Sequence, residues 1–206
     1  MSTTKVDMKR ELPDLYRPGT KPRLVDVPEL GFIMVDGHGD PNTAPAYSDA
    51  IQALYAVAYT VKFAVKRSPD GVDFAVMPLE SLWWSDDDAS FTGGEKGAWS
   101  WTAMIMQPEP VSGEIVADAI RVVEQKKSLP SLAALRYERF TEGLAAQVMY
   151  VGPYSDEGPT IAALHGFIAD QGLELAGKHH EIYLGDPRRT APARLKTVIR
   201  QPVRQP

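Results

Sequence analysis

Residues 33–54, "IMVDGHGDPNTAPAYSDAIQAL", and residues 148–164, "VMYVGPYSDEGPTIAAL", decide how this 206-residue chain is read. Each runs from an aliphatic stretch through a Gly/Pro corner and a polar segment into Ile-x-Ala-Leu (Ile51–Leu54 and Ile161–Leu164). Alternation with period two suits a strand and recurrence with period 3.6 suits a helix, so each stretch marks a strand passing into a helix. A single such match between two amphipathic helices arises readily by chance. The segments downstream of each copy argue for duplication. After the first come two strand-like segments, "VDFAVMPLESLWW" (72–84) and "AWSWTAMIMQP" (98–108). After the second come "KHHEIYLGDP" (178–187) and "ARLKTVIRQP" (193–202). The expected fold is therefore α+β, with duplicated strand–helix–strand–strand modules, pseudo-two-fold symmetry and a central ligand cleft.

Local signals mark the elements. The first strand is expected at 31–36, broken by Gly37 and Gly39. In the helix after it, Tyr47, Ile51, Leu54, Tyr55, Ala58 and Val61 recur at helical spacing, with Pro45 in its first turn. The second half begins with a strand at 144–152 and a helix at 155–172, which Ser155 or Asp156 starts and Gly172 ends. An acidic, glycine-containing turn, "SDDDASFTGGEKG" (85–97), joins the first pair of strands, and a helix at 112–127 bridges the halves. Residues 1–22, polar and carrying Pro13, Pro18 and Pro22, read as an extended arm on the surface. Residues 23–206 read as a single domain of two repeats, about 23–110 and 140–203, joined by that helical connection.

Composition excludes several classes. The net charge of −5 argues against phosphate-driven nucleic-acid binding and mildly favours neutral or cationic ligands. With no cysteine, disulfides, thiolate nucleophiles and zinc–thiolate sites are ruled out. There is no secretory h-region and no apolar run long enough to span a bilayer, so a cytoplasmic location is expected. His179 and His180 point to opposite strand faces, which chelates poorly, and "GHGDP" (37–41) is neither a P-loop nor a dinucleotide fingerprint. No metal and no cofactor are expected, and the serines lack a His/Asp partner for a hydrolase triad.

Glu181 is the most informative acid, because it interrupts a strand that would otherwise bury apolar groups. Alternation puts His179, Glu181 and Tyr183 on one face and His180, Ile182 and Leu184 on the other. Ile182 and Leu184 mark the core face, leaving Glu181 and Tyr183 toward the cleft or solvent. A carboxylate among aromatic rings loses solvation, which raises its pKa and suits a general base or a cation partner. The plainer alternative is an exposed strand Glu paired with Arg188 or Arg189. All four tryptophans lie in "LWW" and "WSW", where Trp99 shares a face with Trp101, and Glu80 with Leu82 and Trp84. Such rings stack a flat or cationic ligand, or simply fill the core. Tyr55 and Tyr150 carry polar tips that could reach a pocket.

Taken together, "KPRLVDVPELGFIMVDGHGDPN", "VMPLESLWW", "TAMIMQP", "LRYERFTEGLAAQVMYVGPYSDE" and "HHEIYLGDPRRTAPARLKTVIRQPV" resemble the GyrI-like small-molecule-binding family over about residues 5–203. The resemblance implies the duplicated fold with a central cleft. Related domains sense drugs in transcription regulators, where a buried acid and aromatic groups hold planar, often cationic compounds. This chain lacks room for a preceding helix-turn-helix region, so direct nucleic-acid binding is not expected. Free-standing members resembling it hydrolyse cyclopropane-bearing DNA-alkylating compounds. Carried over by motif, the acid of "HEIYL" is Glu181, the catalytic residue, and Trp84 of "LWW" belongs to the ligand wall. Tyr55, Trp101, Tyr150, Tyr183 and Glu80 are added as ligand-binding residues from strand and helix phase. The alternatives are a non-catalytic binder or sensor of planar or cationic drugs, and an interaction protein that inhibits gyrase.

Overall fold

The computed structural model describes residues 5–69, 71–85 and 96–206. In chain order they form α1 (Met8–Glu11), α2 (Pro13–Tyr16), β1 (Arg23–His38), α3 (Pro45–Arg67), β2 (Leu79–Trp84), β3 (Ser100–Gln107) and α4 (Gly113–Glu124). Next are β4 (Arg136–Val151), α5 (Gly158–Asp170), β5 (Glu174–Leu175), β6 (His179–Tyr183) and β7 (Lys196–Arg204). Most of the expected acidic turn, residues 86–95, lies outside the described residues. The chain divides into two compact units: Met1–Met8 with Leu30–Phe140, and Lys9–Glu29 with Thr141–Pro206.

The α+β class and the repeated order strand–helix–strand–strand are both present, and the repeat extends to strand pairing. In the first unit β3 is central, antiparallel to β1 on one side and β2 on the other. In the second unit β7 is central, antiparallel to β4 and β6, with the short β5 also on β7. The corners match as well. Gly39 (φ 101°) and Gly152 (φ 155°) leave the first strand of each repeat in a conformation that side chains resist. Their N–H groups donate to Trp99 O at 2.8 Å and Leu195 O at 3.0 Å, two residues before Trp101 and Thr197 respectively.

In the first unit α3 buries Ala50, Ala53, Leu54, Val57, Val61 and Val65 at helical spacing. Tyr47, from its first turn, contacts Trp83 and Trp101 and shares a 2.7 Å hydrogen bond with the Ser81 hydroxyl. That marks the α3-facing side of the sheet. In the second unit Ala146, Val148, Ile199 and Val203 pack with Leu164 and Ile168 of α5.

Three expectations change. The segment 1–22 is not an extended arm throughout: α1 and α2 interrupt it, and Leu15 and Tyr16 are buried. The strand expected over 72–84 starts only at Leu79, because Pro78 offers no N–H to a ladder. β1 and β4 are each 16 residues long, well beyond the aliphatic runs that signalled them. Their charged ends, "RLVDVPE" and "RYERFTE", belong to the strands although their exposure hides them from a hydrophobicity reading.

The second unit also buries charge. Arg200 donates to Glu142 Oε2 at 2.9 Å, and His180 Nδ1 lies 3.0 Å from Glu142 Oε1. The remaining guanidinium donors reach Gln147 Oε1 and the Leu15 carbonyl. All three charged side chains are at most 3% exposed. Burial pushes the Glu142 carboxyl up, but the His180 and Arg200 charges and their hydrogen bonds outweigh it and hold it down at about 2.

The packing can be tested at two positions. A Cβ at Gly37 would collide with the Trp101 indole, so Gly37→Ala should destabilise the fold by about 1–3 kcal/mol in urea titration. Glu142→Gln leaves buried positive charge uncompensated and should cost about 3–5 kcal/mol. Because the folded carboxyl lies below its ordinary 4.5, its contribution is complete above pH 4.5 and disappears as pH falls toward 2. An acid-unfolding series should therefore show wild type losing its advantage over Glu142→Gln across that window.

Candidate functional site

The central strand of the second unit sorts its neighbours into two faces. Thr197 lies opposite Tyr150 on β4 and Tyr183 on β6. Ile199 lies opposite Val148 and Glu181. Residues directly opposite one another share a face, so Glu181, Tyr183, Thr197 and Tyr150 project on the side where Val148 and Ile199 meet α5. The buried Arg200, opposite Gln147 and His180, projects on the other side. Adjacent His180 and Glu181 therefore serve different faces, as strand alternation requires. The Glu181 face, expected to meet the cleft or solvent, is the one on which α5 packs.

On that face each Glu181 oxygen has a partner. The Tyr183 hydroxyl donates to Oε2 at 2.7 Å, and His179 Nε2 lies 3.2 Å from Oε1. The Glu181 side chain keeps 16% exposure against 5% for His179, so the acid reaches the edge of the buried layer. The Tyr154 ring meets the Tyr183 ring edge-on at 5.5 Å. Arg188, in the turn after β6, forks onto both oxygens of Asp186 at 3.0 Å. Beyond His179 stands His165 of α5. Burial and the His179 charge both hold its imidazole below the ordinary histidine value.

Tyr150 reaches the same layer from β4. Its hydroxyl donates to the Pro153 carbonyl at 2.9 Å. Burial, aided by the Asp156 and Glu157 charges, raises its pKa above the usual phenol value. Glu157, immediately before α5, is itself 5% exposed.

Of the residues expected at a site, the second unit brings Glu181, Tyr183 and Tyr150 onto one sheet face. The first unit disperses its own. Trp101 is 1% exposed, seated over Gly37 and edge-on to Tyr47 at 5.0 Å. Glu80 is 1% exposed opposite Met104, on the face away from Tyr47. Both are closed off from solvent. Trp84 is the partly exposed last residue of β2, opposite Ser100. Tyr55 lines a groove of about 380 Å³ with Tyr59 of α3 and Val123, Lys126 and Lys127 at the end of α4.

Sequence reading missed Thr197, Glu157 and the pairing of His179 with Glu181. A threonine inside an apolar strand reads as a β-former, and Glu157 reads as part of a helix start. Only the i, i+2 spacing of His179, Glu181 and Tyr183 was available as a signal. Among the described residues, no group of three or more His, Asp and Glu side chains is placed to hold a metal ion, and no helix is long and apolar enough to cross a membrane.

Comparison with known proteins agrees with this architecture. Residues 20–204 match the GyrI-like small molecule binding domain. A conserved protein of unassigned function from Listeria innocua shares 40% identity and superposes with a TM-score of 0.89, covering 97% of this chain and 100% of its own. A protein from the same organism, described as a hydrolase, also shares 40% identity, with a TM-score of 0.85 and the same coverage. The C-terminal domain of EcmrR, at 13% identity and a TM-score of 0.56 over 90% of this chain and 98% of its own, shares the fold alone. Among curated proteins none matches the chain significantly.

The two-histidine arrangement is open to titration. In an NMR pH series His165 should titrate below the ordinary histidine range, and His179→Gln should move it part of the way back up by removing a neighbouring positive charge.

Proposed function

The chain belongs to the GyrI-like small-molecule-binding family, and from that premise we propose that it is a hydrolase that opens the cyclopropane ring of planar, electrophilic, DNA-alkylating compounds. The observation that carries the reading is Glu181: a partly exposed carboxylate bonded to Tyr183 and His179, on the sheet face that also carries Tyr150. The likeness at 40% identity to a protein described as a hydrolase supports the choice of an enzyme.

The chemistry asks for little more than a positioned base. Conjugation of a strained cyclopropane to a dienone makes its ring carbon electrophilic. A water oxygen bonds to that carbon as the ring C–C bond breaks. The bond's electron pair moves through the dienone to its oxygen, forming a phenolate. Glu181 takes the water's proton, which then neutralises the phenolate, so water is added across the broken bond. A hydroxyl donor would stabilise the oxygen as its charge develops; Tyr183, whose one hydroxyl hydrogen goes to Glu181, orients the base instead.

A second reading has its own support. A carboxylate bonded to the Tyr183 hydroxyl, with the Tyr154 ring edge-on to Tyr183, is also a setting that holds a planar cation, which would make the protein a binder or sensor without turnover.

Turnover of a cyclopropane-bearing dienone, followed by ultraviolet spectrum and product mass, separates the two. Wild type should give many turnovers, and Glu181→Gln should lower kcat by about 10²- to 10⁴-fold. Tight binding without product from either protein would favour the binder. Equal turnover by both would remove Glu181 from the chemistry.

A further inference from the structure

The register of the two repeats can be matched residue by residue through their corners. Gly39 bonds to Trp99 O and Gly152 to Leu195 O. Two positions further along each central strand, Trp101 therefore corresponds to Thr197. Their neighbours correspond as well: Gly37–Trp101–Trp83 in one repeat, Tyr150–Thr197–Tyr183 in the other. One step along, on the same face, Ser81 corresponds to Glu181. In the first repeat this layer is closed. The Trp101 indole covers Gly37, and Tyr47 of α3 bonds to Ser81. In the second repeat the central residue is small and polar, and Ser81 has become the acid.

Thr197 is the anomaly in that layer. It is fully buried, and its hydroxyl oxygen has no hydrogen-bond partner among the described residues. Both flanking phenols are engaged elsewhere, Tyr183 with Glu181 and Tyr150 with the Pro153 carbonyl. A valine would fill the same volume without burying an unsatisfied hydroxyl, which is costly. An orphaned hydroxyl in a central strand calls for a partner that is not part of the chain. Thr197 lies diagonally across β7 and β6 from Glu181, a Cβ separation of about 7–8 Å or somewhat less. A single water bonded to both groups has the reach to bridge side chains at that spacing.

We propose that the Thr197 hydroxyl, together with Glu181, holds the water consumed in hydrolysis, an assignment that rests on the hydrolase reading above. The water donates one hydrogen to Glu181 and the other to Thr197 Oγ1. That leaves its oxygen lone pairs directed at the ring carbon, and the proton lost on attack passes to Glu181. Thr197 is thus a positioning residue: it fixes the water and takes no proton.

The test compares wild type with Thr197→Val, Thr197→Ser and Glu181→Gln, using a cyclopropane-bearing dienone as probe and high-resolution crystal structures of wild type and Thr197→Val. Thr197→Val should melt no lower than wild type, yet lose about 10²-fold in kcat with KM nearly unchanged, while Thr197→Ser should retain most activity. The wild-type crystal should contain a water bonded to both Thr197 Oγ1 and Glu181, and the valine variant should lack it. Wild-type kcat in Thr197→Val, or an Oγ1 bonded to a protein group with no water, would overturn the assignment. If Glu181→Gln is inactive while Thr197→Val is unaffected, this assignment falls and the hydrolase reading stands. If wild type itself does not turn the probe over, both fall together.

Discussion

Arg200 lies mid-strand on β7 at 2% exposure, and a guanidinium in that position must be neutralised where it stands. Glu142, His180, Gln147 and the Leu15 carbonyl do so from β4, β6 and the N-terminal segment. Because the partners come from three separate stretches of chain, the cluster resists any slip in register: moving β6 by one residue would exchange His180 for Glu181 and put two carboxylates beside one another. The same parity that turns His180 toward Arg200 turns Glu181 to the opposite face. The buried charge cluster thus places the candidate catalytic acid without touching it.

The duplication explains how one topology carries two different interiors. Both units pair a central third strand with two antiparallel neighbours and pack one helix on one face. In the first, aromatic groups and a glycine fill the helix-facing layer, so it behaves as core. In the second, the corresponding positions hold Glu181, Thr197 and two tyrosines, and Glu157 stands close enough to raise the pKa of Tyr150. Acids, phenols and an unsatisfied hydroxyl are poor materials for a core. Their concentration in one repeat is what marks it as the candidate site, more than any motif does.

Much of the architecture was legible in the sequence. The switch from period two to period 3.6 after Asp36 and again after Val151, the glycines at the corners, and the second pair of strands in each half carried the α+β class and the repeat, because backbone geometry and burial write those periods directly into residue order. The length of β1 and β4 was not legible, since their ends are charged and half exposed and a strand without a buried face leaves no hydrophobic signature. The helical turns in 8–16 were hidden by three prolines that suggested an extended arm.

That α5 packs on the Glu181 face was not legible, since Ile182 and Leu184 marked the core side and Glu181 was expected toward the cleft or solvent. Alternation along "HHEIYL" determined that Glu181 and Tyr183 point the same way and that His180 points oppositely; that much comes from one strand alone. Which of the two faces packs against α5 depends on β4 and β7, strands well separated from it in sequence, and on the buried pairing of Arg200 with Glu142. The partners of Glu181, the orphaned hydroxyl of Thr197, and the burial of Trp101 and Glu80 are likewise properties of register and packing between strands distant in sequence. Residue order determined the elements and their phase; only the tertiary structure decided what each phase faces, because hydrogen-bond partners and solvent access are set by chain segments that no local pattern describes.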